Sequence, residues 1–106
     1  MWDNTILIFT SDNGGDEEYG GSNLPLRGQK STHFEGGTRV PAFIVSPKLP
    51  QNARGTKTDL LVHVTDWLPT ICHLISVPHD KIPDNDGLNI WPFLTQKNVE
   101  HTERQV

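Results

Sequence analysis

A partial α/β domain with long loops is the fold class that three observations predict. An apolar, β-branched run from Thr5 to Thr10 stops at Ser11-Asp12-Asn13-Gly14-Gly15, a second run covers Arg39 to Val45, and apolar residues recur at helical spacing after Thr65. Strand, long loop, strand and helix in that order belong to α/β architecture. With 106 residues the chain has room for one modest core and no more. Hydrophobic residues make up 34%, and eight prolines with nine glycines interrupt the backbone, so that core should be thin.

Each element has its own justification. Thr5-Ile6-Leu7-Ile8-Phe9-Thr10 shows no polar alternation, the pattern of a strand covered on both faces and hence of a parallel sheet. Gly14 to Gly37 has no apolar period, which predicts a long loop held by groups outside itself. In the second run Pro41 offers no N–H, so it restricts the strand to an edge or takes its first position, and Pro47 closes it. Leu49 to Thr58 is a polar surface loop. Thr65 or Asp66 can cap a helix whose apolar face is Leu68, Ile71, Leu74 and Ile75, with Pro69 in its first turn and Pro78 beyond its end. Gly87 to Leu94 offers anchors for a final short element. The domain reading is 1–95, followed by a polar tail, 96–106, expected to fray.

The formal net charge of -4, with scattered Lys and Arg, argues against nucleic acid as a partner. No apolar run is long enough for a membrane span or a signal-peptide core. Cys72 is the sole cysteine, so no internal disulfide forms.

Asp12 and Asn13 follow a strand directly, and in doubly wound sheets ligands gather outside the carboxyl ends of strands. One carboxylate and one amide oxygen suit a hard cation, calcium or magnesium, whereas zinc favours clustered His and Cys. The same tetrapeptide also reads as a plain Asx turn. The pair Gly36-Gly37 reads as structural, permitting backbone angles that turn the loop back toward the sheet. His33, His63, His73, His79 and His101 have acid/base chemistry but no partner spacing, which assigns them to the surface or to structural hydrogen bonds. Trp67, Trp91 and Phe93 read most simply as core or anchor residues, with stacking on a sugar as the alternative.

Several blocks in order carry a resemblance. Ser11-Asp12-Asn13-Gly14, then Gly28 and Lys30, then Glu35-Gly36-Gly37-Thr38-Arg39-Val40-Pro41, then Pro47 and His63-Val64-Thr65-Asp66-Trp67-Leu68-Pro69-Thr70 resemble the sulfatases of the alkaline-phosphatase superfamily. Within that family the wording of Trp2 to Gly37, with Pro25-Leu26-Arg27-Gly28 before the lysine, is similar to the arylsulfatase B group, N-acetylgalactosamine-4-sulfatases acting on glycosaminoglycans. The resemblance implies an alkaline-phosphatase-like doubly wound sheet of which this chain holds the C-terminal part. It further implies that Asp12 and Asn13 are the second pair of ligands to a catalytic calcium and that Lys30 touches the substrate's sulfate. A lysosomal or secreted location is implied in the same way. Physics agrees with those roles, because a cation and an ammonium stabilise the negative charge that spreads onto the leaving oxygen as the S–O bond breaks.

The family's nucleophile is a formylglycine made inside Cys/Ser-x-Pro-x-Arg, and no such motif occurs in these residues. Cys72 precedes His73-Leu74-Ile75 within the expected helix and reads as a core thiol. The first pair of metal aspartates is missing as well, and calcium takes about six to eight oxygens, of which Asp12 and Asn13 give two or three. The expectation is therefore a partial sulfatase chain that is inactive in isolation. Two alternatives stay open: a non-catalytic truncated module that binds sulfated glycan or a partner, and a phosphoryl-transfer relative in the same superfamily.

Overall fold

The computed structural model describes residues 1–95, so the expected frayed tail, 96–106, and with it His101, lies outside the described residues. Two compact units make up the chain, Met1–Lys48 and a second that begins at Leu49.

In the first unit the two apolar runs become β1 (Leu7–Thr10) and β2 (Ala42–Val45), paired as an antiparallel ribbon with Leu7 opposite Val45 and Phe9 opposite Phe43. The second strand begins just past Pro41, as the missing N–H requires. The parallel, doubly covered β1 expected from the sequence is not what the described residues form. Leu7 is 48% exposed and Phe9 49% exposed, while Ile8 between them is half-buried. An unbroken apolar run reports how much burial a strand can use, and says nothing about the direction of its neighbour. Phe9 and Phe43 stack on the open face, centroids 5.1 Å apart and rings 13° from parallel, a cross-strand aromatic pair that helps fix the register. Ser46, buried at the end of β2, donates to the carbonyl of Thr5 at 2.8 Å and ties the two strand ends together.

The long loop between the strands is held from within, contrary to expectation. Asn23 is its hub, accepting from Gly15 N–H at 2.6 Å and donating to the carbonyls of Gly15 at 2.8 Å and Gly28 at 3.3 Å. Main-chain bonds from Gly14 to Gly37 (2.9 Å) and from Gly36 to Arg27 (2.7 Å) close it onto a single-turn helix, α1 (Glu35–Thr38). The glycine pair is explained differently from the expected unusual angles. Gly36 and Gly37 are buried without positive φ, and a Cβ on Gly36 would overlap the carbonyl of Gly28 while one on Gly37 would overlap that of Thr32. Close backbone approach, not conformational freedom, demands glycine there.

The second unit is built around α2 (Trp67–Leu74), which carries Pro69 in its first turn. A 3-10 turn, Val64–Asp66, precedes it; Asp66 stands at the N-cap position of α2, as expected, but makes no side-chain capping bond to that helix, and the side-chain cap is made one turn earlier by His63. His63 Nδ1 accepts from Thr65 N–H at 3.4 Å while Asp66 reaches back to accept from His63 N–H at 2.7 Å, a reciprocal capping arrangement. The helix also turns a different face inward than the apolar spacing predicts. Leu68, Ile71 and Ile75 are exposed, whereas Asp66 and Thr70, four residues apart on one face, are buried. Both pin the same segment: Leu88 N–H donates to Asp66 at 2.8 Å and Ile90 N–H to Thr70 Oγ1 at 2.9 Å. That segment delivers the fully buried Ile90 just before the last element, α3 (Trp91–Thr95). Ile90 and Leu49 are the buried apolar residues among those described, the thin core that the composition foretold. Trp67, Trp91, Phe93 and Cys72 are half-buried.

Candidate functional site

The end of β1 carries the candidate metal ligands. Ser11 N–H donates to the carbonyl of Pro41 at 3.2 Å, so the turn leaves the sheet while still paired to the start of β2. Asp12 Oδ1 then accepts from Asn13 N–H at 3.0 Å, and Ser11 Oγ donates to the carbonyl of Asn13 at 2.9 Å, which locks a tight polar turn. Asn13 Nδ2 donates to the carbonyl of Gly14 at 3.0 Å, leaving the amide oxygen without a hydrogen bond among the described residues. Asp12 is exposed and Asn13 half-buried. Gly14, buried where it meets Gly36, is closed to any side chain.

Lys30 joins this turn through the main chain: its N–H donates to the carbonyl of Gly15 at 3.2 Å, two residues past Asn13. Directly after it Ser31 takes a left-handed φ of 68°, and Thr32 Oγ1 donates to the carbonyl of Gln29 at 2.7 Å, so the backbone doubles back at the lysine. Lys30 is exposed and makes no ion pair among the described residues. The main chain at Lys30 is thus bonded to the loop just past Asp12 and Asn13, while among the described residues no hydrogen bond or ion pair joins its side chain to either of them. Asn23 bolts this loop together and had no signal in the sequence, because an amide eight residues past a glycine obeys no spacing rule.

The donor set fits a hard cation: one carboxylate, plus one amide whose nitrogen is already engaged, offers oxygens and nothing softer. Among the described residues no group of three or more His, Cys, Asp or Glu is placed to hold a metal. Asp12 and Asn13 would therefore supply part of a shell and no more. His33, His73 and His79 are exposed, and His63 works as the cap described above. A hollow of about 460 Å³ in the second unit, lined among others by Pro69, His73, His79, Asp84 and Leu88, contains none of the three candidate residues.

A chain of mixed helices and strands thus carries, at one strand's end, an acid and an amide followed by a lysine on a glycine-clamped loop. The family model described as Sulfatase matches residues 1–77, and the chain belongs to the sulfatase family. Arylsulfatase J of Mus musculus is 44% identical over 96 residues, covering 91% of this chain and 16% of that protein. N-acetylgalactosamine-6-sulfatase of Homo sapiens is 38% identical over 98 residues, covering 89% and 18%. The crystal structure of Ps i-CgsB in complex with k-i-k-neocarrahexaose superposes with a TM-score of 0.72 at 35% identity, over 86% of this chain and 20% of that one. The chain thus spans under a quarter of the length of these relatives and is a partial domain of the sulfatase fold. Among the described residues no helix is long and apolar enough to cross a membrane.

Proposed function

We propose that this chain is the portion of an arylsulfatase-type sulfuric ester hydrolase that supplies Asp12 and Asn13 to a calcium site and Lys30 to the sulfate of a sulfated sugar. Magnesium is the second cation its oxygens would accept. The observation that carries the reading is the Lys30 N–H to Gly15 carbonyl bond, which fastens the lysine's loop to the turn bearing the acid and amide. When bound, the cation supplies Lewis-acid stabilisation of charge developing on the ester oxygens. The ammonium of Lys30 offers up to three N–H donors to sulfate oxygens, and the self-bonded loop keeps the cluster in place before substrate arrives. A sulfated glycan is the substrate class supported by the relatives' names, and a lysosomal or secreted location follows from the family likeness.

Calorimetry on the chain tests this reading. Calcium should bind weakly, on the order of 0.1–1 mM, and Asp12→Ala should abolish the heat. Lys30→Ala should leave calcium binding intact and weaken a sulfated disaccharide. Calcium binding indifferent to Asp12→Ala would sink the assignment.

A second reading is a module that binds sulfated glycan without turnover; Cys/Ser-x-Pro-x-Arg does not occur within these 106 residues. On either reading the isolated polypeptide releases no sulfate from an aryl sulfate. Fusing the chain to a sulfatase segment that carries the motif separates the two, since turnover appears only under the first.

A further inference from the structure

Arg27 lies three residues before Lys30 in the same loop. Its guanidinium sits over the ring of Phe34, 4.0 Å from the centroid, in contact range for a cation on an aromatic face. The ring is 46% exposed and packs against Gly28 on one side. A Cβ on Gly28 would come within 2.6 Å of Phe34 Cβ and 3.2 Å of its Cδ2, and Gly28 has a φ of +90°. Phe34 is anchored at the start of α1, where its carbonyl accepts from the N–H of Gly37 at 2.8 Å. The carbonyl of Arg27 accepts from Gly36 N–H at 2.7 Å. Backbone and ring therefore both hold the residue.

Among the described residues Arg27 has no anion for a partner. The ion pairs among the described residues join Arg39 to Glu35 and Lys81 to Asp80, and Arg27 has none, although acids outnumber bases and Asp16, Glu17 and Glu18 belong to the same loop. A guanidinium whose face rests on a ring keeps its N–H edge open, the geometry that takes an oxyanion through two parallel hydrogen bonds.

We infer that Arg27 is a specificity-determining residue that takes a second oxyanion of the substrate, a sulfate or a carboxylate, beside the sulfate assigned to Lys30. The inference rests on the proposed role of Lys30 and goes beyond it, because it selects among sulfated glycans. A single-sulfate neutral sugar fills one of the two anion positions, and a doubly anionic one fills both.

Calorimetric titration of the calcium-loaded chain with three disaccharides tests it: one monosulfated and neutral, one disulfated, and one monosulfated with a uronate. The doubly anionic ligands should bind about fivefold tighter than the neutral one, the upper end for an exposed ion pair. Arg27→Gln should bring that ratio to one while leaving the neutral ligand's affinity unchanged. Phe34→Leu, which removes the platform and keeps the charge, and Arg27→Lys, which keeps charge without the planar fork, should each lower the ratio, and they keep the test alive if Arg27→Gln does not fold. Which doubly anionic ligand gains more identifies sulfate or carboxylate. A ratio of one in the wild type, or a ratio unchanged in all three variants, overturns the inference. Lys30→Gln weakens all three ligands equally if its own assignment holds; no change there overturns that assignment separately, and no binding of any ligand overturns both.

Discussion

Replacing Asn23 by alanine removes the side chain that holds the loop cluster closed. Three bonds disappear: the one from Gly15 N–H and those to the carbonyls of Gly15 and Gly28. They do not weigh equally. The 3.3 Å bond to Gly28 is long, and the Gly15 carbonyl keeps its bond from Lys30 N–H, so the main loss is the half-buried Gly15 N–H left without an acceptor. At about 1 kcal/mol for each ordinary bond and somewhat more for the orphaned donor, the total comes to about 2–3 kcal/mol. With a urea slope of about 1 kcal/mol/M for so small a chain, the unfolding midpoint of the first unit should fall by about 2–3 M. Urea titration followed by tryptophan fluorescence reads this through Trp2 once Trp67 and Trp91 are replaced by phenylalanine in every variant compared. The ordering of variants is a sharper check. Asn23→Asp keeps an acceptor for Gly15 N–H but points a carboxylate at two carbonyl oxygens, so it should be at least as damaging as alanine. A midpoint within about 0.3 M of wild type for both variants would refute the hub role, as would Asp proving harmless where Ala is not.

Other substitutions probe the remaining joints. Gly36→Ala forces a methyl into the Gly28 carbonyl, backbone against backbone, and should destabilise the first unit by more than about 3 kcal/mol, visible as loss of a cooperative urea transition. Gly28→Ala combines the left-handed φ of +90° with contact against Phe34 and should cost about 1–3 kcal/mol by the same assay. In the second unit Asp66→Ala leaves the N–H groups of His63 and Leu88 without their acceptor, which predicts a loss of about 2–4 kcal/mol. Hydrogen exchange should then show the amides of residues 88–90 opening with those of α2. Thr70→Val should lose about 1–2 kcal/mol by exposing Ile90 N–H to an apolar neighbour; equal stability of Thr70→Val and wild type would contradict the pinning role.

How much of this was legible beforehand depended on the kind of signal. Proline and glycine punctuation located both strands and the helix, since a missing N–H or a polar turn acts locally. The ordered blocks around Asp12, Asn13 and Lys30 pointed to the family that the comparisons then showed. Orientation was harder. Helical spacing of Leu68, Ile71, Leu74 and Ile75 predicted an inward apolar face, yet of these four Leu74 alone is half-buried, and the buried residues are Asp66 and Thr70, which accept from the N–H groups of Leu88 and Ile90. Strand direction was equally hidden, because it is a property of the pair and not of the run. The self-closure of the loop escaped for a third reason: Asn23, Gly14, Gly36 and Gly37 meet through contacts that join residues up to twenty-three apart, and composition reports none of them.

The stacked phenylalanines of the ribbon lead to a practical end. Leu7, Phe9, Phe43 and Val45 form an oily stripe open to water on two strands that, among the described residues, have no third neighbour. Such a stripe with bare backbone edges is sticky toward its own kind. Handling this polypeptide above micromolar levels therefore calls for dilution or mild detergent, and light scattering against concentration is the sensible first measurement before any affinity is read.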